Sequence, residues 1–168
     1  MNSSDAAASR RRRFDELVGV YHPDMYRYAA WLSRAPSIAQ DVVQEALLRA
    51  WKSLDKLRED GSAKQWLLTI VRRENARFFE RKRLETVDID DLTPAQEALL
   101  GVEENNELDE MRRAIYALDD DYREPLVLQV LMGYSTNEIA EQMGLKQGAV
   151  LTRLHRARAR LKDKMAQA

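Results

Sequence analysis

The chain has 168 residues, 45% hydrophobic and 33% charged, with a formal net charge of −1, a size that suits one ordinary domain or two small ones. It has no cysteine and only two histidines, which excludes disulfides, thiolate metal sites, a cysteine nucleophile and a histidine-rich metal centre. Six glycines and four prolines argue against an all-β fold, and no apolar run approaches the roughly 20 residues that span a bilayer. A soluble, cytoplasmic, all-α protein is expected.

Residues 1–13 include four consecutive arginines, Arg10, Arg11, Arg12 and Arg13, and lack an apolar signal segment; they are expected to form a disordered basic tail. From there Phe14, Leu17, Val18, Tyr21, Met25, Tyr28, Ala29 and Leu32 hold one helical stripe, which Pro23 should kink or split in two. Ser37 followed by Gln40 has the form of a capping box and opens a helix over 37–54. One side of that helix carries Ala39, Val43, Ala46, Leu47, Ala50 and Leu54. The opposite side carries Asp41, Gln44, Glu45, Leu48 and Lys52. A charged stripe is ordinarily a solvated face. Leu48 departs from that pattern, because one apolar anchor ringed by Gln and carboxylates is what a protein-docking surface needs.

After a loop over 55–63, a third helix is predicted over 64–83. Residues 64–84 hold seven Lys or Arg against two Glu, a net +5. Lys64, Trp66, Arg72, Arg73, Arg77, Arg81, Lys82 and Arg83, with Phe78 and Phe79 interleaved, supply cations for phosphates and planes for stacking on unpaired bases. Trp66, Leu67, Ile70, Val71 and Phe78 read equally well as core, so the charge is the stronger signal. Residues 85–110 then carry ten Asp or Glu and no Lys or Arg, with Pro94. That composition marks a linker, placed at 85–106, between a module at 14–84 and a second at 107–164.

Leu108, Met111, Ile115 and Leu118 mark the first helix of the second module. A second helix is predicted over 122–132, with Pro125 tolerable only in its first turn. Ser135 and Glu138 form another capping box, opening a short helix that ends at Gly144, and a last helix covers 147–164 with Val150, Leu154, Ala157 and Leu161 on one stripe. Small Ala140 permits a close helix crossing, and Gly144 supplies the positive φ of the turn, which together make a helix-turn-helix. Gln147, Ala149, Thr152, Arg153, Arg156 and Arg158 lie off the buried stripe, where base edges and phosphates can be met. Residues 145–168 carry seven Lys or Arg against one Asp, which favours DNA binding over an ordinary helical hairpin.

Catalysis finds no support. Ser3, Ser4 and Ser9 lie in the tail, neither His22 nor His155 is near an acid or nucleophile in sequence, and no phosphate-cradling glycine motif occurs. No cofactor and no metal ligand set is expected. His155 reads as DNA-facing or solvated, and His22 as a kink residue.

Asp41-Val-Val-Gln-Glu-Ala-Leu-Leu-Arg-Ala-Trp51, Trp66-Leu-Leu-Thr-Ile-Val-Arg72, and the pair Gly133-Tyr-Ser-Thr-Asn-Glu-Ile-Ala-Glu141 and Gly148-Ala-Val-Leu-Thr-Arg-Leu-His-Arg-Ala-Arg158 follow one another in an order that resembles the extracytoplasmic-function (ECF) sigma factors of bacterial RNA polymerase. The resemblance covers nearly the whole chain, from Phe14 to Leu161. It implies that the modules are sigma region 2 and region 4. It further implies that Asp41, Gln44, Glu45 and Leu48 dock on the coiled coil of the polymerase β′ subunit, with region 4 at the β flap. The 55–63 loop and the basic helix after it would then melt and read the −10 promoter element, flipping a base of the non-template strand. The last helix would read the double-stranded −35 element, and a dedicated anti-sigma factor would hold the protein inactive. Four positions depart from the family pattern. Leu47 stands for a frequent Phe, Arg73 for Asn, Leu151 for Lys, and Lys146 for the Ser that caps the recognition helix at about 1 kcal/mol. Two other readings fit parts of the pattern: a stand-alone helix-turn-helix regulator with a helical dimerisation domain, and a sigma mimic that titrates an anti-sigma factor.

Overall fold

A computed structural model describes residues 2–85 and 106–167, so the acidic linker lies almost wholly outside the described residues. Among the described residues every regular element is helical. Helix α1 spans Ser3–Ser33, α2 Pro36–Ser53 and α3 Ala63–Glu85, with two short 3₁₀ turns, Leu54–Lys56 and Asp60–Ser62, between α2 and α3. The second module consists of α4 (Asn106–Tyr116), α5 (Asp120–Val130), α6 (Thr136–Met143) and α7 (Gln147–Ala166).

Helix α1 corrects two expectations. It begins at Ser3, so residues 3–13 extend the helix instead of forming a disordered tail, and it runs on through Pro23 without splitting. Arg10 and Arg13 of the extension find partners on the neighbouring loop, described below. The proline removes one N–H, leaving the Gly19 carbonyl without its helical donor, a loss the packing of Met25, Tyr28, Ala29 and Trp31 into the core outweighs. The helix stops at Arg34, a non-glycine residue at φ 60° whose amide still reaches the Ala30 carbonyl.

Ser37 does not cap α2. The chain becomes helical one residue earlier, at Pro36, whose missing N–H falls among the donors that have no helical partner anyway. In the second module, Pro125 sits in the interior of α5, not in its first turn, because the helix already begins at Asp120. Buried Arg123 stabilises this corner by donating to the Tyr116 and Leu118 carbonyls at the end of α4.

The two modules pack on each other. One apolar core runs from Met25, Tyr28, Val42, Val43, Leu67 and Val71 into Tyr116, Leu126, Leu128, Ile139, Val150 and Leu154. Trp31 stacks on Tyr116 with ring centroids 4.2 Å apart. Polar bonds line the seam: the Tyr28 hydroxyl donates to Glu124 at 2.8 Å, Thr69 Oγ1 to Gln142 at 2.8 Å, and Lys64 Nζ to the Met132 carbonyl at 2.8 Å.

Candidate protein and nucleic-acid interfaces

Three surfaces emerge. On α2, Ile38, Ala39, Val42, Val43, Ala46 and Ala50 turn inward, which leaves Asp41, Gln44, Glu45 and Leu48 exposed on one outward face. Leu48 is 54% exposed. Beside it lies a shallow, mainly apolar depression lined by Phe14, Gln44, Leu47, Leu48 and Trp51. Of the predicted docking residues, Gln44 and Leu48 line this depression; Phe14 and Trp51, which also line it and meet edge to face at 5.2 Å, are not among them. Phe14 is one turn before the helical stripe reaches the core, so periodicity alone assigns it inward.

The basic helix α3 does not present its cations as one face. Arg73, Arg81 and Arg83 are exposed. Arg77 is tied to the buried Glu74 carboxylate at 2.8 Å, which Arg49 also approaches at 3.3 Å, and Lys82 lies over the Phe78 ring. Trp66 is half-buried against Leu17, Leu54 and Leu57, next to the 3₁₀ turns. Lys64 and Arg72 point the other way, into the seam between modules: Arg72 Nε donates to Glu124 at 2.6 Å. Burial works to lower the Arg72 pKa, but the hydrogen bond to Glu124 and that carboxylate's charge raise it, and burial together with the same carboxylate pushes the Tyr28 phenol well above its ordinary value.

The third surface is the helix-turn-helix. Both halves of its capping box form: the Ser135 amide donates to Glu138 Oε2 at 2.7 Å, and the Glu138 amide donates to Ser135 Oγ at 3.2 Å. That first bond holds the Glu138 carboxyl below its ordinary pKa. Gly144 adopts φ 64°, and the Leu145 amide closes the turn on the Ala140 carbonyl at 2.9 Å. Lys146 caps α7 without a side-chain bond.

On α7, Val150, Leu154 and Ala157 are buried, and the predicted DNA-facing residues divide. Gln147 and Thr152 are exposed; Gln147 donates to Thr136 Oγ1 across the turn at 3.1 Å, and Thr152 to the Gly148 carbonyl at 3.0 Å. Ala149 is half-buried and Arg156 exposed. Arg153 bonds Asp121 at 3.2 Å and Arg158 bonds Gln129, so both are held toward α5. Leu151, 53% exposed, and His155 share the outward side with Thr152. Exposed His155 agrees with its reading from the sequence as DNA-facing or solvated, whereas Leu151 is absent from the predicted set although its spacing from the buried stripe places it there.

Residues 17–85 match the Sigma-70 region 2 family and residues 108–161 the Sigma-70, region 4 family. Over 157 residues the chain is 32% identical to the ECF RNA polymerase sigma factor SigM of Mycobacterium tuberculosis, covering 92% of this chain and 78% of that one. The chain belongs to the ECF RNA polymerase sigma factors. ECF sigma factor EcfG of Rhodopseudomonas palustris is likewise 32% identical, over 150 residues, 89% of this sigma factor and 82% of EcfG. Among solved structures, sigma factor RpoE of Bartonella quintana, in complex with the anti-sigma factor NepR, superposes with a TM-score of 0.75 at 26% identity, covering 92% of this chain and 98% of that one. CnrH in complex with the cytosolic domain of CnrY superposes at 0.67 and 27% identity, covering 98% and 94%. Helices α1–α3 thus contain region 2 of this sigma factor, from residue 17 onward, and α4–α7 contain its region 4.

Proposed function

We propose that this sigma factor binds core RNA polymerase and directs promoter-specific initiation. Asp41, Gln44, Glu45 and Leu48 dock on the β′ coiled coil, and region 4 sits at the β flap. The 3₁₀ turns, Trp66 and the α3 cations read and hold the melted −10 non-template strand. Gln147, Ala149, Thr152, Arg153, Arg156 and Arg158 read the −35 duplex. The observation that carries this reading is the exposed Leu48 at the centre of a Gln and carboxylate face on the same chain as a fully capped helix-turn-helix. A stand-alone regulator has no use for that face, and a sigma mimic has none for the basic helix.

Lys64 and Arg72 are engaged by the second module, so their share in −10 binding requires the modules to part. The RpoE complex with NepR supports control of this protein by an anti-sigma factor as well. Its working place is the cytoplasm, where polymerase is; no described helix is long and apolar enough to cross a membrane.

Transcription from fragmented host DNA with purified core polymerase, with and without the protein, tests the proposal. New start sites sharing two upstream motifs are expected. Absence of core binding would leave the α2 face as plain solvent-exposed surface and favour the stand-alone regulator.

A further inference from the structure

We infer that Arg10 and Arg13, on the part of α1 that precedes the region 2 match, are positioning residues for the −10-reading loop; the role rests on the sigma-factor reading of that loop. Arg13 reaches across to it with three bonds: Nη2 to the Leu57 carbonyl at 2.8 Å, and Nε and Nη2 to Asp60 Oδ1 at 3.0 and 2.7 Å. Arg10 donates to the Trp51 carbonyl at 2.6 Å, lies over the Trp51 ring at 4.7 Å, and pairs with Asp55 at 3.6 Å. Together they tie the loop at its entry, its middle and its second 3₁₀ turn.

The loop needs such ties. Its own backbone contributes short-range bonds, Leu57 amide to Leu54 carbonyl, Ser62 amide to Glu59 carbonyl and Ala63 amide to Asp60 carbonyl. Leu54 and Leu57 anchor its inner side on Leu17 and Ala63. Nothing apolar holds the stretch from Arg58 to Ser62, where every residue is exposed. A carbonyl and a carboxylate gripped by one planar guanidinium fix both the position and the orientation of that stretch, which a lysine's point charge does less well.

Charge adds a second effect. Residues 55–62 carry Asp55, Glu59 and Asp60 against Lys56 and Arg58, a net −1 facing a polyanion. Arg10 and Arg13 bring the local sum to +1. Because Asp55 and Asp60 are largely solvated, this effect is modest and screened by salt, and the geometric one is the larger.

The test uses the full chain with core polymerase on a promoter found as above, and on copies with each −10 base replaced in turn. Wild type, Arg13→Ala, Arg13→Lys and Asp60→Asn are compared for the ratio of transcription from the native over the replaced −10 element. Arg13→Ala is expected to lower that ratio roughly tenfold, the scale of one charged hydrogen bond. Asp60→Asn should move it the same way, and Arg13→Lys should recover part. Core-polymerase affinity and −35 discrimination should stay within about twofold of wild type. Unaltered −10 discrimination in Arg13→Ala overturns the inference alone. A parallel fall in core affinity, −10 and −35 discrimination also overturns it, since that is what a bracket for the fold would give. No start sites with the wild-type chain overturns the sigma-factor reading and this inference with it. Should Arg13→Ala fail to fold, Arg13→Lys and Asp60→Asn carry the same comparison.

Discussion

Arg72 of region 2 and Glu124 of region 4 form a charged hydrogen bond of 2.6 Å at the seam between the modules, and the Tyr28 hydroxyl donates to the same carboxylate oxygen. Glu124 is only 11% exposed, so one carboxylate satisfies two region 2 donors in a site largely closed to water. Arg72 belongs to the cations proposed to meet melted DNA. In the packed form its charge is already neutralised by the other module, and −10 binding must compete with Glu124 for it.

Replacing Glu124 with Ala leaves Arg72 and the Tyr28 hydroxyl without their acceptor and should weaken the seam by about 1–2 kcal/mol, the figure for a charged bond whose Arg72 end still meets water. The expected outcome is a larger radius of gyration by small-angle scattering and faster proteolysis between the modules, with helix content retained. If both measures match wild type, the Trp31–Tyr116 stack and the apolar core hold the modules together without Glu124.

Alanine at both Gln44 and Glu45 should weaken core-polymerase binding at least tenfold, in the range of interface hot spots, and Leu48→Ala should do the same. All three residues are exposed, so thermal stability should scarcely move. Titration of labelled core polymerase checks this. Unchanged affinity in both variants would remove the α2 face from the docking assignment.

The helices, the helix-turn-helix and the α2 face were legible in the sequence because each rests on periodicity or on a local cap. Ser135 with Glu138 and Gly144 are such local signals, and all three do what their residue types suggest. The misreadings come from long-range contacts. Residues 3–13 look like a basic tail by composition, yet Arg10 and Arg13 have partners 41 to 47 positions away. Pro125 suggests a helix that starts near Tyr122, but α5 already begins at Asp120, with buried Arg123 held to the Tyr116 and Leu118 carbonyls ahead of it. Charge counting on α3 likewise could not separate Arg73, which is exposed, from Arg72, which another module neutralises.

Arg156 is exposed on α7, whereas Arg153 and Arg158 are bonded to α5, so Arg156 is the better probe of phosphate or base contact. Arg156→Ala should lower −35 promoter affinity and reduce the slope of log affinity against log salt by about one if it meets a phosphate. Core-polymerase affinity should be unaffected. A variant with wild-type affinity and salt slope would place Arg156 outside the DNA interface and shift attention to the Leu151, Thr152 and His155 side.

The helix-turn-helix should show acid sensitivity traceable to Glu138. The Ser135 amide bond, followed by the Ser135 hydroxyl, holds the Glu138 carboxyl below the ordinary value of 4.5 in the folded protein. The ionised form is therefore favoured by folding. Its contribution is fully present above pH 4.5 and is lost as pH falls below that value and through the lowered folded pKa. Glu138→Gln keeps the shape but cannot gain charge, so its thermal stability should lie below wild type at neutral pH. The gap should narrow as pH falls below 4.5 and close once pH lies below the lowered folded pKa, as the wild-type carboxyl takes up its proton. Paired melting curves of the two chains across this range decide it. A gap of the same size at every pH would mean that the cap works through hydrogen-bond geometry, with the charge of Glu138 adding nothing.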